Sequence, residues 1–415
     1  MKTTITAITA REIIDSRGYP TIEVACTTTN GVVGVASVPS GASTGTHEAL
    51  ELRDNDQTRF GGKGVQKAVA HVCGEIAQHI VGNEYNQRSL DDALILLDGT
   101  NNKSRLGANA ILGVSLAFAR ACAQVHGVAL YEYLKTISGT TDYTLPQPMF
   151  NIINGGKHAD SGLDIQEFMI GPVAFPSIAE KIRVASEVIV ALRKVLQKRG
   201  LTVGVGDEGG FAPQLTSNEE AFDCIIEAIN NAGYTTDQVK IGIDVAASSF
   251  YTDGVYTLSV GGTKVTHTQA GMLAWYEALI QKYPIISIED GFHEEYWEGF
   301  SQLTQAHGDA IAIVGDDLLV TNVARIATAI EYRSVNSVLI KVNQIGSLSE
   351  TIDAILKTKQ AGWAPFISHR SGETTDTFIA DLSVGLACPY IKSGALIRGE
   401  RVCKYNRLME IEQSL

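Results

Sequence analysis

Across the second half of the chain, short apolar runs end repeatedly on charged residues. Lys240-Ile-Gly-Ile leads to Asp244, Ile285-Ile-Ser-Ile to Glu289-Asp290, and Ile311-Ala-Ile-Val-Gly to Asp316-Asp317. Val338-Leu-Ile leads to Lys341, Pro365-Phe-Ile-Ser to His369-Arg370-Ser371, and Pro389-Tyr-Ile to Lys392. Val203-Gly-Val-Gly, before Asp207-Glu208, reads as a further member of the set. Three carboxylates brought together, Asp244, Glu289 and Asp316, raise one another's pKa unless a cation relieves the repulsion. All-oxygen ligation without thiolates favours Mg²⁺ over zinc. Arg370 with Ser371 suits a phosphate, through the guanidinium fork and the hydroxyl. Lys341 lies in the apolar run Ser337 to Asn343, so its ammonium loses solvation and its pKa is expected to fall towards that of a base. A lysine base beside a metal-bridged anion points to removal of a proton next to a carboxylate. The intermediate then carries extra negative charge, which only concentrated positive charge makes accessible.

Something must bring these residues together. From Glu289 to Asp316, Lys341, His369 and Lys392 the intervals are 27, 25, 28 and 23 residues, one strand and one helix each time. A single acidic strand end is more often a helix N-cap than a ligand, but seven charged ends in register are hard to explain as caps. Ser177-x-x-Glu180, Ser217-x-x-Glu220 and Ser347-x-x-Glu350 match capping boxes, with Gly200, Gly233 and Gly362 as C-terminal caps. Ile178, Ile182, Ala185, Ile189, Leu192 and Leu196 repeat at helical spacing and form one stripe to pack on a sheet. Strands alternating with helices from about residue 150 predict a closed (β/α) barrel, whose C-terminal rim collects every strand end.

The first third differs. Residues 3–9, 20–28 and 31–38 alternate like strands, with Asn30-Gly31 as a hairpin turn, and helical periodicity follows over 63–81 and 107–125. That order predicts an α+β domain over 1–137, a linker over 138–148 punctuated by Pro146 and Pro148, and the barrel over 149–415. Pro39-Ser-Gly-Ala-Ser-Thr-Gly45 reads either as an ordinary connection or as a mobile lid over a ligand. The net charge of −13 argues against a nucleic-acid partner or an anionic membrane surface. Leu106–Ala119 is too short and Gly-rich to span a bilayer, and Met1-Lys-Thr-Thr lacks a signal-peptide core. Six cysteines without a C-x-x-C pair read as buried free thiols in a reducing compartment, so a cytoplasmic location is expected.

The chain resembles the enolase (phosphopyruvate hydratase) family from end to end. The matching segments include Arg11-Glu-x-x-Asp-Ser-Arg-Gly18, the loop 39–45, Leu106-Gly-Ala-Asn-Ala-Ile-Leu-Gly-Val-Ser115, Gln166-Glu-Phe168 and Gly206-Asp-Glu-Gly-Gly-Phe-Ala-Pro213. They continue with Ser287-Ile-Glu-Asp290, Gly315-Asp-Asp-Leu318, Leu339-Ile-Lys-Val-Asn-Gln-Ile-Gly346, Ser368-His-Arg-Ser-Gly-Glu-Thr374 and Ile391-Lys-Ser-Gly394. A Lys or His base with one or two Mg²⁺ ions is the known pattern of that superfamily.

The resemblance implies reversible dehydration of 2-phosphoglycerate to phosphoenolpyruvate. It implies that Lys341 takes the C2 proton and that Glu208, with Glu167 close by, is the acid that helps the C3 hydroxyl leave. It assigns Asp244, Glu289 and Asp316 to a first Mg²⁺ and Ser43 to a second. Arg370 and Ser371 would bind phosphate, Lys392 the substrate carboxylate, and His158 and His369 would line the pocket. For His158 the sequence alone favours a structural loop histidine, and only the family match promotes it. The resemblance also implies a barrel with an irregular start and a homodimer, or an octamer. Departures fall away from these positions: Tyr19, Gly61, Leu396, Gly399, and Glu410, where an Arg is usual opposite the partner's acidic residue, here Glu23. Two other readings are an idle family member serving as a structural or surface protein, and a superfamily enzyme for another carboxylate. The intact acid, base and carboxylates disfavour the first; Arg370-Ser371 and Ser43 disfavour the second.

Overall fold

The alternating N-terminal segments form antiparallel strands β1 (Thr3–Ile14), β2 (Pro20–Thr28) and β3 (Val33–Ser37), joined by β4 (Glu84–Tyr85) in the order β3-β2-β1-β4. The computed structural model of the protein describes residues 2–42 and 45–415. Strand β1 runs five residues past its expected end. Ala10 to Ile14 pair with Val24 back to Pro20, so backbone pairing carries the strand where apolar alternation has stopped. One face of the sheet is covered by the helix Ala108–Val125, which is almost wholly buried. This helix is long and apolar enough to cross a membrane, but 83% of it lies inside the fold, as a core helix does. Its contact with β3 is close: a Cβ on Gly34 would stand 2.1 Å from the Ala117 carbonyl oxygen and 2.4 Å from the Ala121 nitrogen. Both obstacles are helix backbone. Gly34→Ala is therefore expected to destabilise the protein by about 1–3 kcal/mol through overpacking, seen as a lower melting temperature. The helix predicted over 63–81 is Gln66–Ile80, with a wider π turn over Val72–Ile76.

The helix Leu130–Ser138 is followed by an extended segment, and the barrel begins with β5 (Gln147–Asn154). Gln147 and Pro148, expected in the linker, thus belong to the first barrel strand. Next come β6 (Glu167–Pro172), β7 (Val239–Asp244), and a small sheet of β8 (Tyr251–Thr252), β9 (Val255–Val260) and β10 (Thr263–His267). The remaining barrel strands are β11 (Ile285–Glu289), β12 (Ala312–Gly315), β13 (Ser337–Ile340), β14 (Ala364–Ser368) and β15 (Tyr390–Lys392). The barrel closes in the order β11-β12-β13-β14-β15-β5-β6-β7. The irregular start is present: β6 runs antiparallel to both β5 and β7, whereas the other neighbours are parallel. Ser177, Ser217 and Ser347 cap their helices by accepting the backbone N–H of Glu180, Glu220 and Glu350.

Two expectations need correction here. Val203–Gly206 is not a barrel strand. It makes only an isolated bridge, Val205 to Phe211, and Asp207-Glu208 lies on the following turn. Its glycines supply no side chains to pack, and the antiparallel β6 takes the place this segment was given. The strand through Lys341 stops at Ile340; Val342–Ile345 is a short helix. Of the cysteines, Cys26, Cys122, Cys224 and Cys388 are buried, Cys403 is half-buried and Cys73 is exposed. Cys73 sits in the π turn and is exposed, its Sγ accepting the Ala10 N–H of β1 at 3.3 Å, so not all six thiols are core.

Candidate active site

Strand ends place the charges. Asp244 and Glu289 end adjacent parallel strands and are register partners, and Asp316 follows β12 next to them. Glu167 begins β6, but the strand is antiparallel, so its first residue lies at the same rim and pairs with Asp244. Lys341, His369 and Lys392 come from β13, β14 and β15 or the residue after them. His158 arrives on the 3₁₀ turn Gly156–His158 and Glu208 on the 207–209 turn.

Most of these residues line one small buried cavity, formed by His158, Glu167, Glu208, Asp244, Lys341, His369, Arg370, Ser371 and Lys392, together with Gln166 and Ser368. Larger clefts lie elsewhere. The one at the opposite mouth of the barrel carries only Lys240 and Asp309 as charged residues. The one between the helices Ala108–Val125 and Gly399–Ser414 has its charges already paired, Arg120 with Asp376 and Arg407 with Asp381. Converging charge, not size, marks the rim cavity as the site.

Lys341 Nζ lies 2.5 Å from Asp316 Oδ2. Burial pushes this ammonium's pKa down, and Arg370 and Lys392 push the same way, but Asp316 together with Glu289 holds it above the ordinary value. The expected fall is thus corrected: a carboxylate stands directly against the base. Lys392 Nζ lies 2.8 Å from Glu289, 3.0 Å from Glu167 and 3.8 Å from Asp244. Those three carboxylates keep its ammonium well above its usual pKa against the effect of burial.

Two buried carboxyls are driven in opposite directions. Burial and the neighbouring Glu208 push Glu167 well above the carboxylate range. Burial also pushes Glu208 up, but His369, His158 and Arg401 hold it well below that range. His158 Nδ1 lies 3.6 Å from Glu167 and 3.5 Å from Glu208, and His369 Nε2 lies 3.3 Å from Glu208. Asn151 Nδ2 donates to Glu208 Oε2 at 2.9 Å.

Arg370 donates to both carboxylate oxygens of Glu48, at 2.9 and 3.2 Å, and to Asn343 Oδ1 at 3.1 Å. Ser371 Oγ accepts the Ala42 N–H at 2.7 Å. Guanidinium, hydroxyl and the stem of the 39–45 loop therefore meet at one spot. Ser43, assigned to a second metal, lies outside the described residues.

Sequence reasoning gave no role to several residues that complete the site. Gln166 Nε2 donates to Asp244 at 3.1 Å, and Gln344 Nε2 donates to Asp316 at 2.8 Å. Both were visible as neighbours of Glu167 and Lys341 inside the matched motifs. Glu48 and Asn151 had no local signal, because their partners lie far away in sequence.

The donor set fits a hard divalent cation. Asp244, Glu289 and Asp316 are buried, offer only oxygen, and two of them carry directed amide donors that fix their orientation. Among the described residues, the acidic groups whose ligand atoms come within 4.8 Å of one another are His158–Glu167–Glu208 and Asp290–Asp316–Asp317. The expected trio is not among them: Lys392 Nζ lies 2.8 Å from Glu289 and 3.8 Å from Asp244, and Lys341 Nζ lies 2.5 Å from Asp316. Asp290 is explained structurally: at φ 44° it accepts the backbone N–H groups of Asp316 and Asp317, both at 2.8 Å, and fixes the turn that presents Asp316.

Residues 142–415 match the family model "Enolase, C-terminal TIM barrel domain", and residues 5–134 match "Enolase, N-terminal domain". The chain belongs to the enolase family. It is 54% identical over 417 positions to Enolase 1 of Methylococcus capsulatus, a match covering 100% of this chain and 98% of that protein. An enolase is a lyase acting on a small molecule, and the family implies a bound metal ion, which agrees with the acidic rim described above.

Proposed function

We propose that this chain catalyses the reversible dehydration of 2-phosphoglycerate to phosphoenolpyruvate, with Lys341 as the base at C2 and Glu208 as the acid at the C3 hydroxyl. The observation that carries this reading is the meeting of a buried lysine and a buried Glu–His–Glu chain in one cavity that also holds Arg370, Ser371 and Lys392. Lys341 and Glu208 enter from different elements, so they can reach different faces of a small substrate. Arg370 offers its planar fork to the phosphate, with Ser371 beside it. Lys392 faces the substrate carboxylate and keeps that end of the molecule away from Glu167 and Glu289. Asp316, 2.5 Å away, is the main group opposing the fall of the Lys341 pKa, with Glu289 behind it, so engagement of these carboxylates elsewhere frees the amine to accept a proton.

Asp244, Glu289 and Asp316 would hold one Mg²⁺, and Ser43 would contribute to a second. A metal there supplies electrostatic stabilisation for the extra negative charge that develops on the substrate carboxylate. We further propose a cytoplasmic homodimer, or an octamer built from dimers. Its interface differs at Glu410, which pairs with Arg407 at 2.9 Å in its own chain, while Glu23 pairs with Arg11 at 2.6 Å.

Purified protein given 2-phosphoglycerate and Mg²⁺ is expected to produce the ultraviolet absorbance of phosphoenolpyruvate. Excess EDTA should abolish the signal and added Mg²⁺ restore it. No absorbance change, or a rate indifferent to EDTA, would overturn the proposal.

A further inference from the structure

Arg401 is the largest fully buried side chain among the described residues, with 0% exposure, and its position in the first turn of the helix Gly399–Ser414 gives it no surface role. Its guanidinium reaches two separate segments of the site, 369–371 and Asp207. Nη1 lies 2.5 Å from His369 Nδ1 and 2.6 Å from the Arg370 carbonyl oxygen. Nη2 donates to the carbonyls of Ser371 at 2.6 Å and Asp207 at 2.9 Å. Glu400 lies 3.4 Å from its Nε and balances the charge.

A guanidinium can only donate. The His369 Nδ1 that faces it must therefore be the unprotonated nitrogen, and the ring hydrogen must sit on Nε2. That nitrogen is 3.3 Å from Glu208 Oε2, off the hydrogen-bond line in this structure but close enough for a charge–dipole attraction. The Asp207 carbonyl held by Nη2 belongs to the peptide immediately before Glu208. A single group thus sets the hydrogen position on the ring and the backbone that carries the carboxyl facing it.

We propose that Arg401 is a positioning residue: it locks His369 as the Nε2–H tautomer and, through the Asp207 carbonyl, holds Glu208 opposite that N–H. Burial and Arg401 also keep the imidazole neutral, with a pKa lowered to about 4, while Glu208 pulls the other way. A neutral donor orients the Glu208 carboxyl without competing for the proton that it must exchange with substrate. The proposal rests on the reading of Glu208 as the acid, but the tautomer can be measured without substrate.

The test is nitrogen-15 NMR of the full-length chain labelled at histidine, at neutral pH, with the His369 signals assigned by their loss in His369→Gln. The parent protein is expected to show Nδ1 unprotonated and Nε2 protonated. Arg401→Met is expected to give a tautomer mixture and to lower kcat by roughly 100-fold, as misplacement of a reacting group does. KM should rise as well, because Arg401 also holds the carbonyls of Arg370 and Ser371, so the tautomer is the deciding readout. Arg401→Lys keeps the charge but not the fork and should resemble Arg401→Met. It supplies the result if the methionine variant does not fold. An Nδ1–H tautomer in the parent, or an unchanged tautomer in the variants, would overturn the proposal. An Nε2–H tautomer in a protein inactive on 2-phosphoglycerate would uphold it and sink the proposed function instead.

Discussion

Lys341→Ala is expected to lower turnover of 2-phosphoglycerate by about 10²- to 10⁴-fold, the range lost with a positioned general base. Loss of activity alone would not prove the role, because the substitution also strands Asp316. That carboxylate is buried, and its ammonium partner at 2.5 Å would be gone, leaving Gln344 as its remaining side-chain donor. Breaking a buried pair in this way costs about 3–5 kcal/mol, so the melting temperature should fall as well. Lys341→Arg separates the two effects. Arginine keeps the positive charge against Asp316 but stays protonated at every accessible pH and cannot act as a base. It is expected to remain as inactive as the alanine variant while melting closer to the parent protein. A second measurement is exchange of the C2 hydrogen of 2-phosphoglycerate in D₂O, which both variants should lose. An arginine variant that still exchanges C2, or still turns over, would remove Lys341 from this role.

The environment of Lys341 also shows where sequence reading works and where it stops. The apolar run before it is legible as a strand buried on both faces, because it is short, apolar and ends on a charge in step with its neighbours, and all four of its positions are buried. The charge periodicity is legible for the same reason: one strand–helix unit has a nearly fixed length. What could not be read is strand direction. Glu167 looks like the beginning of an element, not the end of one, and only the antiparallel turn of β6 puts it at the rim. Glu208 is legible through the Gly206–Pro213 motif, but the strand expected before it is absent: the turn 206–210 packs across β5, where a Cβ on Gly210 would lie 3.0 Å from the Ile152 carbonyl carbon. The direction of the Lys341 pKa was likewise out of reach, since it depends on which carboxylate stands against the amine. Arg401 carries no local signal at all. The carbonyls it holds lie 30 to 194 residues away, and nothing in Arg398-Gly-Glu-Arg401 indicates a buried guanidinium.

Glu208→Gln should separate the two halves of the reaction. The amide is nearly isosteric, keeps an oxygen to accept the Asn151 N–H, and leaves Lys341 untouched. It cannot deliver a proton to the departing C3 hydroxyl. Formation of phosphoenolpyruvate is therefore expected to fall by about 10²- to 10⁴-fold. Exchange of the C2 hydrogen with D₂O, followed by NMR of recovered 2-phosphoglycerate, should continue, because that step needs only the base. Hydration of phosphoenolpyruvate must fall by the same factor, since the same group then takes the proton from water. The electrostatics explain how Glu208 can serve both directions. His369, His158 and Arg401 favour it as a carboxylate, which suits hydration, while burial and Glu208 push the neighbouring Glu167 the other way. The opposed directions make Glu167 the stronger proton holder of the two, and His158 Nδ1 stands between them, 3.5 Å from one and 3.6 Å from the other. Glu167→Gln should then slow dehydration while leaving C2 exchange in place, as Glu208→Gln does but to a smaller extent. Loss of C2 exchange in either variant would mean that the Glu–His–Glu chain acts before the C3 bond breaks, and the division of roles between Lys341 and Glu208 would fail.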